Sequence, residues 1–240
     1  MRDLTGELLQ AKVKTRLFGG DHAPRLGRLV LLDRIGSGAM GTVYAAYDPR
    51  LDRQVAVKIL HAAGADANVR SLREARALGK LAHPNVIAIH DAGEEDGAVH
   101  VVMELVAGVP LRAWLGGARS WRAVIDVMRD AARGLAAAHQ AGLVHRDIKP
   151  DNILVGHDRT RVVDFGLAGA SDEPDQEGGG TPSYMAPEVL AGAPATAASD
   201  QFSFGVALYE ALHGERPHTG VTRAELQAAG LRAAAARPGR

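Results

Sequence analysis

The strongest chemical signal in the sequence is a short polar loop in the second half of the chain. It reads H-R-D-I-K-P-D-N from His145 and places Asp147, Lys149 and Asn152 within six residues. Asp and Asn are common turn formers, but a random loop rarely contains this combination. The sequence D-F-G begins at Asp164, seventeen residues after Asp147. The carboxylate of Asp164 and the amide of Asn152 can share a Mg²⁺ ion, which prefers oxygen ligands and bound phosphate.

A glycine-rich turn forms the second chemical signal, in the first half of the chain. It reads G-x-G-x-x-G-x-V, with Gly36, Gly38, Gly41 and Val43 at the fixed positions. A dinucleotide site needs a helix after the glycines, but here T-V-Y-A-A-Y-D predicts a strand. Between two strands, glycines let the backbone lie over phosphates without Cβ clashes. A plain hairpin turn is the alternative, and the motif alone does not decide between the two.

A lysine follows the glycine turn by the length of a hairpin. Lys58 ends the sequence V-A-V-K on a third predicted strand. A strand lysine is usually a solvated edge residue, but one between apolar neighbours can reach a phosphate as a point charge. Glu74, on a predicted helix sixteen residues later, can hold Lys58 in an ion pair. The alternative is a surface glutamate that pairs with Arg70, Arg73 or Arg76.

The composition narrows the class of protein. The 240 residues are 46% hydrophobic and 23% charged, which excludes a mainly disordered chain and allows one large or two small domains. Lys+Arg and Asp+Glu are both 28, so the net charge does not favour a nucleic-acid or membrane-surface binder. The absence of cysteine excludes disulfides and thiol nucleophiles. No apolar run resembles a membrane span or a signal peptide, and we expect a cytoplasmic protein.

The elements that must position these residues change character along the chain. Residues 1–26 are predicted to be a leader or linker, and one possible helical face there consists of Leu4, Leu8, Leu9 and Val13. Alternating apolar patterns predict five strands, over 28–36, 41–48, 53–60, 83–93 and 98–106, with one helix over 67–82. Further helices are predicted over 122–142 and 199–214. The last is apolar on most sides, so we expect it to be buried.

Taken in order, the glycine turn, V-A-V-K, the helical glutamate, H-R-D…N, D-F-G and A-P-E resemble the protein kinase family. The resemblance covers residues 27 to about 218. Lys149-Pro150 and G-T-P-S-Y-M-A-P-E from Gly180 are similar to bacterial eukaryotic-like serine/threonine kinases, whereas tyrosine kinases usually carry A-A-R or R-A-A after the aspartate. The resemblance implies an α+β, two-lobed kinase-like fold. Its N-lobe, 27–106, has a five-stranded antiparallel sheet and one helix, and its mainly helical C-lobe, 107–240, lacks its last helices.

The resemblance also implies roles, with ATP and Mg²⁺ as cofactors and protein Ser/Thr hydroxyls as acceptors. Asp147 and Lys149 are the implied catalytic residues, since one accepts the hydroxyl proton and the other neutralises the γ-phosphoryl group. Asn152 and Asp164 are the implied metal ligands. The implied nucleotide contacts are Ile35, Gly36, Gly38, Gly41, Val43, Ala56, Lys58 paired with Glu74, the gatekeeper Met103, the hinge Glu104 to Val106, and Leu154. The implied apolar spine is Leu78, Ile89, His145 and Phe165, anchored by Asp200. Plain core packing is the alternative for the apolar members.

Three departures from the family pattern carry expectations. Ala107 stands where many relatives have an acidic residue for the ribose, which predicts somewhat reduced nucleotide affinity. Ser171 is the leading candidate for autophosphorylation, because Thr181 resembles a position that contacts the catalytic loop. The short C-terminus offers one Ala-rich helix and does not supply the expected arginine partner of Glu188. We therefore expect exposed apolar surface and weak transfer, unless a partner or an additional segment completes the C-lobe.

Three functions fit these observations to different degrees. The first is an ATP-dependent serine/threonine protein kinase in bacterial signalling. The second is a truncated, weakly active or inactive nucleotide-binding scaffold. The third, a small-molecule phosphotransferase, is disfavoured by the segment from Gly180 to Glu188. The first is favoured over the second because the chain retains four residues that catalysis needs, Lys58, Asp147, Asn152 and Asp164.

Overall fold

The computed structural model describes residues 3–18, 23–38, 40–61, 64–166 and 182–218. Ser171, Thr181 and the Ala-rich segment after residue 218 lie outside these ranges. The chain divides into two compact units. The first runs to Ala82 and includes Ala88–Val106, and the second includes His83–Ile87, Ala107–Gly166 and residues 182–218. The predicted domain boundaries stay a prediction.

An antiparallel sheet forms most of the first unit. Its order is β1-β2-β3-β4-β6-β5, so the glycine turn joins two neighbouring strands. The five predicted strands are present, although the fourth begins at Ile89, six residues after its predicted start, and a two-residue strand, β1, adds a sixth. The elements are α1 (Leu4–Phe18), β1 (Arg25–Leu26), β2 (Leu29–Gly38), β3 (Gly41–Asp48), β4 (Arg53–Leu60), α2 (Ala65–Leu78), β5 (Ile89–Glu95) and β6 (Ala98–Glu104).

Helix α1 covers one face of this sheet. Every residue from Val55 to Leu60 is buried, so strand β4 is covered on both faces. On one face, Leu4 and Leu8 of α1 belong to the same hydrophobic cluster as Tyr44 and the strands around it. The hydroxyls of Thr5 and Tyr44 are 2.8 Å apart and tie the helix to β3. The segment predicted as a leader thus contains a helix packed on the sheet, but Leu9, which was predicted on the same face as Leu4 and Leu8, is exposed.

Helix α2 packs against β5 and β6. It begins two residues before the predicted helix and ends at Leu78, four residues before the predicted end. Its buried positions, Asn68, Ser71, Ala75 and Leu78, are spaced three or four apart, as one face of a helix requires. The side-chain amide of Asn68 donates to the Gly97 carbonyl at 3.1 Å, which ties the helix to the β5–β6 turn.

The second unit combines helices with a small sheet that the sequence reading missed. The sheet has the antiparallel order β7-β8-β9, and α4 packs against β9 and α6. The elements are β7 (Gly108–Pro110), α3 (Leu111–Trp114), α4 (Trp121–Gln140), β8 (Ile153–Gly156), β9 (Thr160–Val162), α5 (Pro187–Leu190) and α6 (Ala197–His213), with single 3₁₀ turns at Pro150–Asn152 and Pro182–Tyr184.

Helix α6 is less buried than its apolar sequence predicts. Thr196 and Ser199 form a capping box at its start, and Gly214 ends it with φ 78°. The helix is not buried on most sides, because Tyr209 and Leu212 are exposed. Glu188 on α5 is exposed as well, so the cost expected for an unpaired buried carboxylate does not arise there. Within the described ranges, none of the helices is long and apolar enough to cross a membrane.

Candidate active site

The polar loop of the second unit is held between α4 and the β8–β9 hairpin. Ser120 caps α4 by accepting from Ala123 N at 3.2 Å, and the helix buries one apolar face that includes Met128 and Leu135. Gly142, at φ 76°, takes the chain out of the helix. Ile148 then lies within the core. The loop backbone is therefore anchored on both sides of Asp147.

The side chains of Asp147, Lys149 and Asn152 meet within this loop. Asp147 Oδ2 accepts from Lys149 Nζ at 2.6 Å and from Asn152 Nδ2 at 3.0 Å. Asn152 Nδ2 also donates to the Asp147 carbonyl at 2.7 Å, which identifies the nitrogen end of this amide. The two bonds to Oδ2 fix the orientation of the Asp147 carboxylate, and the third holds the Asn152 amide. The two residues predicted as catalytic are thus in direct contact.

The hairpin brings the two predicted metal ligands to neighbouring positions. Ile153 pairs with Val162, and Val163 N donates to the Asn152 carbonyl at 3.0 Å. Asp164 follows directly in the left-handed region at φ 59°. A non-glycine residue there is uncommon and often marks a functional position. One carboxylate and one amide oxygen are the hard donors that suit Mg²⁺, so these residues fit the ion.

Asp200 of α6 binds the backbone at the start of the polar loop. The side chain of Asp200 is 2% exposed. It accepts from the backbone N–H groups of His145 at 2.7 Å and Arg146 at 2.8 Å, and His139 Nε2 lies 2.8 Å away. Arg146 has φ 69°, an uncommon conformation that these bonds stabilise. The predicted anchoring role of Asp200 therefore has a clear geometric basis.

The ring of His145 is held as a neutral imidazole. Nε2 lies 2.8 Å from the Val163 carbonyl, which can only accept, so Nε2 carries the proton. Nδ1 accepts from Asp147 N at 3.3 Å. Burial lowers the pKa of His145, which agrees with the neutral form. The ring packs at 4.6 Å from the Phe165 ring, so two of the predicted spine residues are in contact.

A partly exposed polar cluster beside the loop was not predicted from the sequence. Arg112 of α3 donates to both oxygens of Asp151, at 3.0 and 2.9 Å, to Glu210 at 3.0 Å and to Tyr184 at 2.7 Å. The Tyr184 hydroxyl donates to Glu210. Burial and the hydrogen bond to Glu210 raise the pKa of Tyr184 to about 12. The cluster ties the Pro182–Tyr184 turn to the loop, through residues too far apart in sequence to give a local signal.

In the first unit, strand pairing places the predicted phosphate and purine residues on one face. Val43 pairs with Lys58, and Lys58 pairs with Val101, so these three positions form one row across the sheet. Ala56, two residues before Lys58, pairs with Met103 in the next row of the same face. Lys58 is buried. Glu74 lies on α2 in the same unit, and its pairing with Lys58 stays a prediction.

The three glycines of the turn differ in whether the fold has room for a side chain at their position. A Cβ at Gly41, which has φ 156°, would lie 2.3 Å from the Ile59 carbonyl oxygen, so the fold demands glycine there. Among the described residues, a Cβ at Gly38 would meet no atom within 4 Å, and one at Gly36 would make only an ordinary contact with Val43. The fold therefore leaves open space over Gly36 and Gly38. This space suits close approach of a phosphate to the backbone.

The remaining predicted nucleotide contacts are spread over both units. Ile35 is an exposed apolar side chain at the glycine turn, and Met103 is buried. Glu104 donates its backbone N–H to the Ala88 carbonyl at 2.9 Å, so this N–H is already engaged within the first unit. Leu154 lies on β8 in the second unit. The half-buried Val106 ends the hinge, and its contact with adenine stays a prediction.

Comparison with known proteins identifies the family. Residues 29–237 match the protein kinase domain family. The chain is 42% identical to the serine/threonine-protein kinase PknA of Mycobacterium tuberculosis, over 81% of this chain and 48% of that protein. It is 39% identical to PrkC of Bacillus subtilis, over 81% of this chain and 32% of that protein. The crystal structure of the PknI kinase domain from M. tuberculosis matches with a TM-score of 0.69 and 29% identity, over 82% of this chain and 78% of that one.

The chain therefore belongs to the protein kinase family, and its relatives are bacterial serine/threonine kinases. The family and the two-lobed α+β kinase fold inferred from the motifs are both confirmed. The chain spans about half the length, or less, of the curated relatives it matches. Members of this family use ATP and a divalent metal.

Proposed function

We propose that the chain is a serine/threonine protein kinase, which transfers the γ-phosphoryl group of ATP to hydroxyl groups of protein Ser and Thr residues. The main support is the orientation of the Asp147 carboxylate, whose Oδ2 accepts from Lys149 Nζ at 2.6 Å and from Asn152 Nδ2 at 3.0 Å. Phosphoryl transfer needs positioning and charge stabilisation more than covalent participation by the protein. A carboxylate locked by two donors suits the first requirement.

The roles of the loop residues follow from this arrangement. Asp147 orients the substrate hydroxyl and accepts its proton as the new O–P bond forms and the bond to ADP breaks. Lys149 keeps its ammonium group beside Asp147 and offsets charge on the transferring group. Asn152 and Asp164 hold Mg²⁺, which when bound neutralises charge on the phosphate oxygens.

The first unit supplies the nucleotide contacts in this proposal. The buried Lys58 holds the α- and β-phosphates, beneath the open backbone of Gly36 and Gly38. Val43 and Ala56 share the face of Lys58 and contact the purine. Nucleotide binding therefore depends mainly on the first unit, and transfer depends mainly on the second.

Incubation of the chain with labelled ATP, Mg²⁺ and a mixture of protein substrates tests the proposal. We expect phosphoserine and phosphothreonine, and no transfer by Asp164→Asn. The exposed Asp126 of α4, paired with Arg129, gives a matched control, and Asp126→Asn should retain activity. Phosphotyrosine as the main product would overturn the substrate class. ATP binding without transfer by a folded chain would support the scaffold alternative.

A further inference from the structure

A cavity lies in the first unit, on the sheet face opposite Lys58. It has a volume of about 300 Å³ and opens between the start of α1, strands β3 and β4, and the β5–β6 turn. This volume is at the lower end of the range for small-molecule pockets. Its floor is apolar and consists of Leu4, Leu26, Tyr44, Ile59 and Ala98.

The walls of the cavity are parts of the folded core. Leu4, Tyr44 and Ile59 are all buried and belong to the hydrophobic cluster beneath α1. The bond of 2.8 Å between Thr5 and Tyr44 holds the first turn of the helix above the floor. The pocket is therefore formed before any ligand arrives, so a ligand need not offset the cost of ordering it.

The rim of the cavity is acidic. It carries Asp3 from the start of α1, and Glu95 and Asp96 from the β5–β6 turn. Glu95 Oε1 accepts from Gly27 N at 3.1 Å, and Asp3 Oδ1 accepts from Gly6 N at 2.9 Å, so both side chains are held in place. Among the described residues that line the cavity, His61 alone can carry a positive charge. An apolar floor under carboxylates is complementary to a cation with an apolar body.

We propose that this cavity is a binding site for a small organic cation, an amine with a compact aromatic or aliphatic body. The body enters the floor beside Tyr44 and Ile59, and the ammonium group lies at Glu95 and Asp96. Burial of the body provides most of the binding free energy, and the carboxylates select for positive charge. The site is separate from the nucleotide face, because Tyr44 and Ile59 alternate with Val43 and Lys58 along the same strands.

Three probes of similar size test the inference on the full chain: 2-phenylethylamine, 2-phenylethanol and phenylacetate. Binding is measured by calorimetry and by ligand-observed NMR at low and high salt. We expect the amine to bind tightest and phenylacetate weakest, with the preference reduced by salt. Equal binding of the three probes, or no binding of the amine at millimolar concentration, would overturn the proposal.

Variants locate the binding to this cavity. Glu95→Gln keeps an acceptor for Gly27 and removes the charge, and Asp96→Asn does the same at the turn. Each should weaken the amine by about threefold to fivefold, the scale of one exposed ion pair, and leave phenylethanol unchanged. Thr42→Phe fills the cavity and should abolish binding of both. Asp126→Asn in the second unit should change nothing. Full affinity in folded Glu95→Gln and Asp96→Asn would exclude this site.

Discussion

Replacement of Asp200 should destabilise the second unit and disable transfer together. In the native chain its buried carboxylate accepts from the N–H groups of His145 and Arg146 at 2.7 and 2.8 Å. Asp200→Ala leaves both donors without this acceptor, and a buried donor left unsatisfied costs about 1–3 kcal/mol. We therefore expect a loss of about 2–6 kcal/mol in the free energy of unfolding. That is a large fraction of the roughly 5–15 kcal/mol that stabilises a typical domain.

The chain offers both a probe and a control for this experiment. Its two tryptophans, Trp114 and Trp121, are in the second unit, so their fluorescence reports unfolding of that unit in urea. His139→Leu removes only the third contact of Asp200 and keeps both backbone bonds, so it should cost about 1 kcal/mol. Asp200→Asn keeps one acceptor oxygen and should fall between the two variants. Equal losses for His139→Leu and Asp200→Ala, or full turnover in Asp200→Ala, would refute the anchoring role.

Three further predictions concern other parts of the chain. Leu8→Ala should lower the stability of the first unit by about 2–5 kcal/mol, and the exposed Leu9→Ala should not, as measured by amide exchange in the sheet. Gly134→Ala, whose Cβ would lie 2.2 Å from a backbone carbonyl oxygen, should destabilise by about 1–3 kcal/mol. Gly205→Ala on α6 should stabilise by about 0.5–1 kcal/mol, because its Cβ would meet no atom of the described residues within 4 Å, and urea midpoints measure both changes. Burial lowers the pKa of His145 in the folded chain, so on acidification the unfolded chain gains its proton first, and the free energy of unfolding falls as pH drops below about 6.5. ¹⁵N NMR of the folded chain at about pH 6 should show a neutral ring with the proton on Nε2. A doubly protonated ring would contradict this prediction.

The sequence predicted those parts of the site that are local. Asp147, Lys149 and Asn152 lie within six residues, and the structure brings their side chains together. The alternation that places Ala56 and Lys58 on one face follows from a period of two, whereas Val43 shares this face because it pairs with Lys58 on the next strand. Glycine spacing indicated the turn but not which glycine the fold requires. Only the position of the Ile59 carbonyl shows that this is Gly41.

Features that depend on contacts between residues far apart in the chain were not predicted from the sequence, or were predicted wrongly. Arg112 meets Asp151, Tyr184 and Glu210, which lie 39, 72 and 98 residues away, and no periodicity connects them. The packing of α1 on the sheet was missed because Gly and Pro after residue 18 indicated a break in the chain. The apolar composition of α6 predicted burial on most sides, but Tyr209 and Leu212 are exposed.

The most direct test of the proposed mechanism measures ATP affinity and the rate of phosphoryl transfer in one variant, Asp147→Asn. The amide keeps the size of the side chain and one acceptor for Lys149 and Asn152, but it cannot accept the hydroxyl proton. We predict that ATP affinity changes by less than about twofold, since the nucleotide contacts lie mainly in the first unit, while transfer slows by roughly 100-fold to 10,000-fold. Transfer at the wild-type rate by the folded variant would contradict the role of Asp147, and with it the central claim.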